Sequence, residues 1–404
     1  MSHIVVIGAG QAGQSLVSKL RALGFDGRLT LIGEEPVPPY QRPPLSKKYM
    51  LGEMEKERLF LRPESFYADQ GIELLLGERV SGIDPEARTV SLGDRTLHWD
   101  RLALTTGAVA LRLPAAIGGT LAGVHTVRSL ADADAMAPQF VAGRRVLIVG
   151  GGYIGLEAAA VAARKGLKVT LVEMAERILG RVASRETADF IRAIHRREGV
   201  DIREGVGLEA LSGEARVSGA RLSDGTQLPV DFVIVGVGIR PATALAEAAG
   251  LAIDNGIAVD AFGRSSHPAV WAAGDCASFP HAGGRLRLES VGNAIDQAEN
   301  VAENMLGADK PYRPRPWFWS DQFDMKLQIA GLNSGYEKVI MRPGDGQDSA
   351  SFWYFDKAGT LLAVDAINDP RAYMIGKRLI EAGKSPAIAA VADAGGDLRA
   401  LLKG

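Results

Sequence analysis

The 404-residue sequence contains a single cysteine, Cys276. One thiol excludes an intramolecular disulfide, a Cys-x-x-Cys redox pair and any multi-cysteine metal site within the chain. A charge excess of one sign is also missing: 46 Lys and Arg face 48 Asp and Glu, a net charge of −2. That balance argues against a generic nucleic-acid coat, and no nucleic-acid partner is expected. No apolar run reaches the roughly 18 residues of a membrane span. The N-terminus has neither a basic region nor a small-residue cleavage site around its apolar run, so the expectation is a cytoplasmic protein without a membrane partner. The six histidines, at 3, 98, 125, 195, 267 and 281, lack metal-ligand spacing, and no metal is expected.

What is present is ordinary globular composition, 47% apolar, with a surplus of glycine at 48 residues against roughly 7% in average usage. The length suits two to four domains. Part of the glycine is organised. Ile4-Val5-Val6-Ile7 leads into Gly8-Ala9-Gly10-Gln11-Ala12-Gly13, then a helical pattern to about Leu23 and a second apolar run ending at Gly33-Glu34. The same grammar returns as Val146-Leu147-Ile148-Val149, Gly150-Gly151-Gly152-Tyr153-Ile154-Gly155, an Ala-rich helix and a run ending at Val172-Glu173. Strand, glycine turn, crossover helix and a carboxylate roughly 20 residues beyond the last glycine are the start of a dinucleotide-binding domain. It occurs twice. In such a turn the first glycine permits the bend, the second lets backbone approach a pyrophosphate, and the third lets helix and strand pack closely. The helix N-terminus then offers unpaired N–H groups to the phosphates. Glu34 and Glu173 would accept ribose hydroxyls, and Glu173 would repel a 2′-phosphate, which predicts NADH over NADPH. Neither turn continues to the Lys-Ser/Thr of a triphosphate loop.

Three further runs end in small residues: Leu102 to Gly107, Val233 to Gly238 through Gly236, and Trp271-Ala272-Ala273-Gly274-Asp275. Singly each reads as a buried strand. Arranged around two dinucleotide turns, and joined by Arg42-Pro43-Pro44-Leu45-Ser46-Lys47, by Glu289-Ser290 with Asn293-Ala294 and Asp296-Gln297-Ala298, and by Pro316-Trp317-Phe318-Trp319-Ser320-Asp321-Gln322, they are more specific. The chain resembles, over its full length, the FAD and NAD(P)H pyridine nucleotide-disulfide reductase superfamily, and within it the ferredoxin reductases of the putidaredoxin reductase type.

The resemblance implies an α/β protein of glutathione reductase-like architecture, with two Rossmann-like dinucleotide-binding domains and a C-terminal α/β domain. The FAD domain would be discontinuous, 1–111 and 242–316, the NADH domain 112–241 and the C-terminal domain 317–404. It implies FAD contacts at Gly8, Gly10, Ala12, Gly13, Glu34, Arg42, Lys47, Val80, Arg128, Asp275 and Val291. Val291 would begin a helix whose positive end faces the flavin pyrimidine. An NADH site would take Gly150, Gly152, Ile154, Gly155, Glu157, Glu173 and Gly236. No cysteine lies near residues 40–48, so the disulfide branch is excluded. Cys276, expected at a packed helix start, reads as a small buried apolar residue.

Four residues are expected to carry chemistry. Lys47 and Glu157 would tune the flavin, or else form a structural ion pair. Tyr153 would cover the flavin until nicotinamide displaces it, or else pack as an ordinary aromatic. Trp319 would be the electron exit, with Trp317 the second candidate, or else the run is a hydrophobic strand that packs the third domain against the first. Lys310, Arg313 and Arg315 form a candidate docking patch for an acidic two-iron two-sulfur ferredoxin, or a solvated linker. The function implied is electron transfer from NADH through FAD to such a ferredoxin, serving a haem-thiolate monooxygenase or a Rieske dioxygenase, by a monomeric enzyme. A rubredoxin reductase or NADH oxidase is the alternative of the same architecture. An NADH-sensing interaction protein resembling apoptosis-inducing factor is the alternative of another class.

Overall fold

Five consecutive residues, His3–Ile7, are buried, as in a central parallel strand covered on both faces. This strand pairs in parallel with Arg28–Gly33 and Arg101–Leu104, and the sheet continues to Ile72–Leu76 and Val270–Ala272. The structure is a computed structural model that describes residues 2–403. The sheet lies in the first of two compact units, residues 1–41, 55–109 and 239–316. One of its faces is covered by the helices Gln11–Ala22 and Val291–Met305, where Leu16, Val17 and Leu20 meet Ala294, Ala298, Val301 and Met305. Alanines at 294 and 298 let the two helices approach closely, and each buried Leu or Val contributes about 1.5–3 kcal/mol. On the other face Val5, Ile7, Leu102, Leu104 and Val270 pack with Cys276.

Cys276 lies in a turn ahead of the strand Ala277–His281, and not at the start of a helix. Gly274 and Asp275 complete that turn, with Gly274 at φ +82°, a conformation favouring glycine. The thiol is fully buried, 3.5 Å from the Leu104 carbonyl and 3.4 Å from that of Ala273. Burial pushes its pKa up, so it is a packed side chain and no nucleophile.

The second unit comprises residues 42–54, 110–238 and 317–404. Its parallel sheet runs Asp201–Glu204, Lys168–Glu173, Arg145–Val149, Phe232–Val235, Val124–Thr126. The same unit holds an antiparallel sheet in the order Trp317–Gln322, Met325–Gly331, Leu361–Ile367, Ala350–Phe355, Lys338–Pro343. All six residues of Ala350–Phe355 are buried: the helix Pro370–Glu381 covers one face, over Trp353 and Phe355, and on the other Phe352 and Tyr354 meet Phe190 and Thr187 of the helix Arg185–Arg197. Gly376 of Pro370–Glu381 comes so near that a Cβ would lie 2.5 Å from Val364 Cγ2. The short turn Pro43–Ser46 and helix Lys48–Leu51 belong to this unit, which brings Lys47 to the helix Tyr153–Arg164 and the strand Trp317–Gln322. Among the described residues no helix is long and apolar enough to cross a membrane.

Candidate functional site

The outer glycines of the two turns meet the same kind of neighbours at similar distances. Gly8 and Gly150 have φ of +113° and +108°, and a Cβ on either would lie 2.2 or 2.4 Å from the carbonyl oxygen of Thr105 or Gly236. Gly13 and Gly155 would each place a Cβ 2.0 Å from the carbonyl of the first glycine. At Gly10 and Gly152, the N-caps of the two crossover helices, a Cβ would meet nothing within 4 Å. The outer glycines are therefore required by the protein's own backbone, whereas the middle ones open onto free space at a helix N-terminus. That combination fits a pyrophosphate at each turn. Gly236 takes part by closing the second turn from behind. Thr105 does the same for the first, its hydroxyl donating to the carbonyls of Gly8 and Ile7 at 2.8 and 3.1 Å.

The carboxylates expected to meet ribose differ. Glu34 follows the strand Arg28–Gly33, exposed and 3.4 Å from Arg79. Glu173 braces its own turn, accepting the Gly151 N–H at 2.7 Å and the Ala175 N–H at 2.8 Å. Each oxygen retains a lone pair for a hydroxyl. Ile154, beside Gly152, is 41% exposed and offers an apolar surface at the mouth of the second turn.

Within the first unit the turn that carries Asp275 meets Ala12 and the helix that begins at Val291. A Cβ on Gly274 would touch that of Ala12 at 3.0 Å and that of Ala294 at 3.9 Å. The Gly274 N–H donates to Gln297 Oε1 at 2.9 Å, tying the Asp275 turn to the helix that begins at Val291. Ser290 caps that helix through the Asn293 N–H. Val80 is buried among Val5, Ile32 and Trp99.

In the second unit Arg42 donates to the Arg128 carbonyl at 2.8 Å, and Lys47 reaches Glu157. Lys47 Nζ lies 3.0 Å from Glu157 Oε1 and 5.7 Å from the centre of the Trp319 ring. Glu157 is 2% exposed. Burial pushes its pKa up, and Lys47, Ser320 and Ser46 pull against that rise. The two serines were not among the residues expected from the sequence. Ser46 donates to Oε2 and Ser320 to Oε1, both at 2.6 Å. Sequence offered one signal for them, since each stands beside a residue singled out for chemistry.

Tyr153 packs against Phe318 with ring centres 4.8 Å apart. Its hydroxyl end is buried and meets no partner among the described residues, and burial raises its pKa well above the usual phenol, with Asp365 and Tyr354 adding to the rise. Trp319 is partly exposed and stacks on Trp317 at 5.3 Å and 21°. The proposed basic patch is weaker than its sequence suggested: Lys310 pairs with Glu303 at 2.8 Å, leaving Arg313 and Arg315 exposed. Among the described residues no cluster of His, Cys, Asp and Glu could hold a metal.

Residues 2–298 match the family described as pyridine nucleotide-disulphide oxidoreductase, and residues 317–402 match the reductase C-terminal family. The chain is 43% identical over 385 residues to a ferredoxin–NAD(P)+ reductase of a Sphingomonas species, covering 94% of this chain and 92% of that one. It is 39% identical over 386 residues to putidaredoxin reductase of Pseudomonas putida, covering 94% and 91%. Among solved structures, the reductase in its covalent complex with putidaredoxin superposes with a TM-score of 0.95 at 37% identity, over 100% of this chain and 98% of that one. The ferredoxin reductase of the CYP199A2 system from Rhodopseudomonas palustris gives 0.94 at 38% identity, over 99% of each. With two pyrophosphate turns, a buried and solitary thiol and a full-length match to such reductases, the chain belongs to the pyridine nucleotide-disulphide oxidoreductase family, as an FAD- and NAD(H)-dependent oxidoreductase of its ferredoxin reductase branch.

Proposed function

We propose that this enzyme carries electrons from NADH to a two-iron two-sulfur ferredoxin that supplies an oxygenase, working as a cytoplasmic monomer. The observation that carries this reading is the pair of glycine turns with matching close approaches in a chain whose one cysteine is sealed in a core. Two dinucleotides have a place, and no protein dithiol can stand between flavin and acceptor. Bound FAD accepts an electron pair and releases electrons singly. The chain divides, on this reading, into an FAD domain of 1–111 and 242–316, an NADH domain of 112–241 and a C-terminal domain of 317–404.

The first turn, with Gly8, Gly10, Ala12 and Gly13, holds the FAD pyrophosphate, and Glu34 its ribose. Arg42, Val80, Arg128, Asp275 and Val291 complete that site. The second turn, with Gly150, Gly152, Ile154 and Gly155 and closed by Gly236, holds NADH, and Glu173 selects against a 2′-phosphate. Lys47 stands at the flavin with its ammonium fixed by Glu157, Tyr153 guards the nicotinamide position, and Trp319 passes electrons outward. The test is stopped-flow reduction of the bound flavin by NADH and by NADPH, followed by turnover with purified two-iron two-sulfur ferredoxins and rubredoxins. Fast reduction by NADH and turnover only with ferredoxins is expected. Reduction that is equally efficient with NADPH would remove the role of Glu173, and turnover confined to rubredoxin would overturn the acceptor.

A further inference from the structure

The hydrogen bonds that end on Glu157 begin three residues away. Ser320 Oγ, which donates to the carboxylate, itself accepts from Gln322 Nε2 at 3.0 Å. Gln322 Oε1 lies 2.7 Å from His195 Nε2. His195 Nδ1 is buried with no partner among the described residues, and a buried N–H left unpaired is rarer than an unpaired acceptor, so the ring proton belongs on Nε2, where it donates to the Gln322 carbonyl. His195, Gln322 and Ser320 are each at most 1% exposed, so water does not compete for these bonds. His195 lies on the helix Arg185–Arg197, and Gln322 and Ser320 on one face of the strand Trp317–Gln322. Every bond points the same way, from imidazole to amide to hydroxyl to carboxylate.

We propose that His195, Gln322 and Ser320 are positioning residues, a hydrogen-bond chain of one donor direction that aims the Glu157 carboxylate at Lys47 and preserves its charge. The inference rests on the reading of Glu157 as the partner of Lys47 at the flavin. Its logic is directional. A serine hydroxyl can donate or accept, and in a buried site a hydroxyl turned away from Glu157 would leave Oε1 with Lys47 alone. The Gln322 amide occupies the lone-pair side of Ser320 with a donor, so the hydroxyl proton has to go to Glu157. Gln322 could equally turn its carbonyl to Ser320, and the His195 N–H prevents it by demanding that oxygen. Neutral imidazole is required for this, because a protonated ring would carry a second donor into a site where Nδ1 has no partner among the described residues. Burial supplies the condition by pushing His195 down to about 4.

The charged group set against Glu157 is Lys47, on the turn after Ser46, while the strand opposite contributes the Ser320 hydroxyl and no charge. Removing a donor must therefore favour the protonated acid. The experiment is an infrared pH titration of the oxidised holoenzyme, reading the carboxylic acid C=O stretch that disappears in Glu157→Gln. In Ser320→Ala the titration should move up by about one pH unit, a tenfold change in the ionisation equilibrium. Gln322→Met, close in volume, should move it in the same direction by less. The acid limb of the rate of flavin reduction by NADH should follow both shifts. An unshifted band in Ser320→Ala overturns the proposal. A shift in Ser320→Ala with none in Gln322→Met overturns the chain beyond Ser320. A failure of the underlying reading looks different: Glu157→Gln would then leave the acid limb of the rate unchanged.

Discussion

Gly152→Ala separates what the second turn does for the protein from what it does for NADH. Gly152 sits at φ −79° and ψ 179°, extended backbone that any residue adopts. An added methyl meets no protein atom within 4 Å. Alanine in place of glycine at a compatible backbone position raises stability by about 0.4–1 kcal/mol through the unfolded chain, so thermal unfolding should be unchanged or slightly higher. The methyl enters the space beside the first N–H groups of the helix, where the proposed function puts the pyrophosphate. Losing one N–H to phosphate bond costs about 1.5–3 kcal/mol, which weakens NADH roughly 10- to 150-fold. Gly155→Ala is the counterpart. Its methyl would sit 2.0 Å from the Gly150 carbonyl oxygen, and backbone cannot yield as a side chain does. Overpacking of this kind costs about 1–3 kcal/mol, so this variant should unfold earlier. The assay is NADH affinity from the concentration dependence of stopped-flow flavin reduction, paired with calorimetry on the same preparations. A Gly152→Ala enzyme with wild-type affinity for NADH, or one that loses as much stability as Gly155→Ala, would refute the assignment.

Trp319→Ala should weaken ferredoxin turnover at low ferredoxin by ten- to thirtyfold, about 2 kcal/mol for a Trp at the centre of an interface, while NADH still reduces the flavin. Steady-state kinetics set beside stopped-flow reduction will tell. Arg313→Glu with Arg315→Glu should raise the KM for an acidic ferredoxin several-fold and flatten its dependence on salt, read from turnover at two ionic strengths. Asp365→Asn addresses pH. Burial lifts the Asp365 carboxyl to about 7, so the folded state holds a proton that the unfolded chain has released, and this group makes stability fall as pH rises toward 7, by on the order of 4 kcal/mol in full. His195, pushed down to about 4, works in the opposite direction: stability falls as pH drops from 6.5 towards 4. The two oppose each other over the same window, so Asp365→Asn should expose a stability that rises with pH between about 4 and 6.5. Urea denaturation at several pH values measures this, and an unchanged profile would refute it.

The two dinucleotide turns were legible because their chemistry is local. Strand, three glycines, helix and carboxylate lie within about 30 residues, and the glycine rule concerns backbone that the sequence names directly. The convergence of Ala12, Gly274 and Ala294 was less visible, since it brings the first glycine turn against segments far along the chain. The placement of Cys276 was read correctly as buried and incorrectly as helical: Gly274 at φ +82° turns the chain into a strand, and an Ala-rich neighbourhood gave no hint of it. Lys310 looked unpaired because its partner, Glu303, lies on the preceding helix and faces it only after the turn at Gly307.

The support around Glu157 was invisible for a different reason. Ser46, Ser320, Gln322 and His195 are common residue types with no motif, drawn from a turn, a strand and a helix far apart in sequence. What groups them is the cost of burying a carboxylate. A lone ion pair in such a place repays its desolvation poorly unless the remaining lone pairs are also satisfied. Lys47 supplies one bond and reaches only one oxygen. Once Glu157 and Lys47 are placed in a buried site, polar donors to the carboxylate become a physical necessity, and each donor that can rotate needs something to fix it. Ser46 is held within the short turn that carries Lys47. Ser320, on a strand, has no such constraint and receives one from Gln322. A buried acid read from sequence therefore predicts a shell of uncharged donors around it, and the residues to search are those beside the charged partner and those on the strand packed across from it.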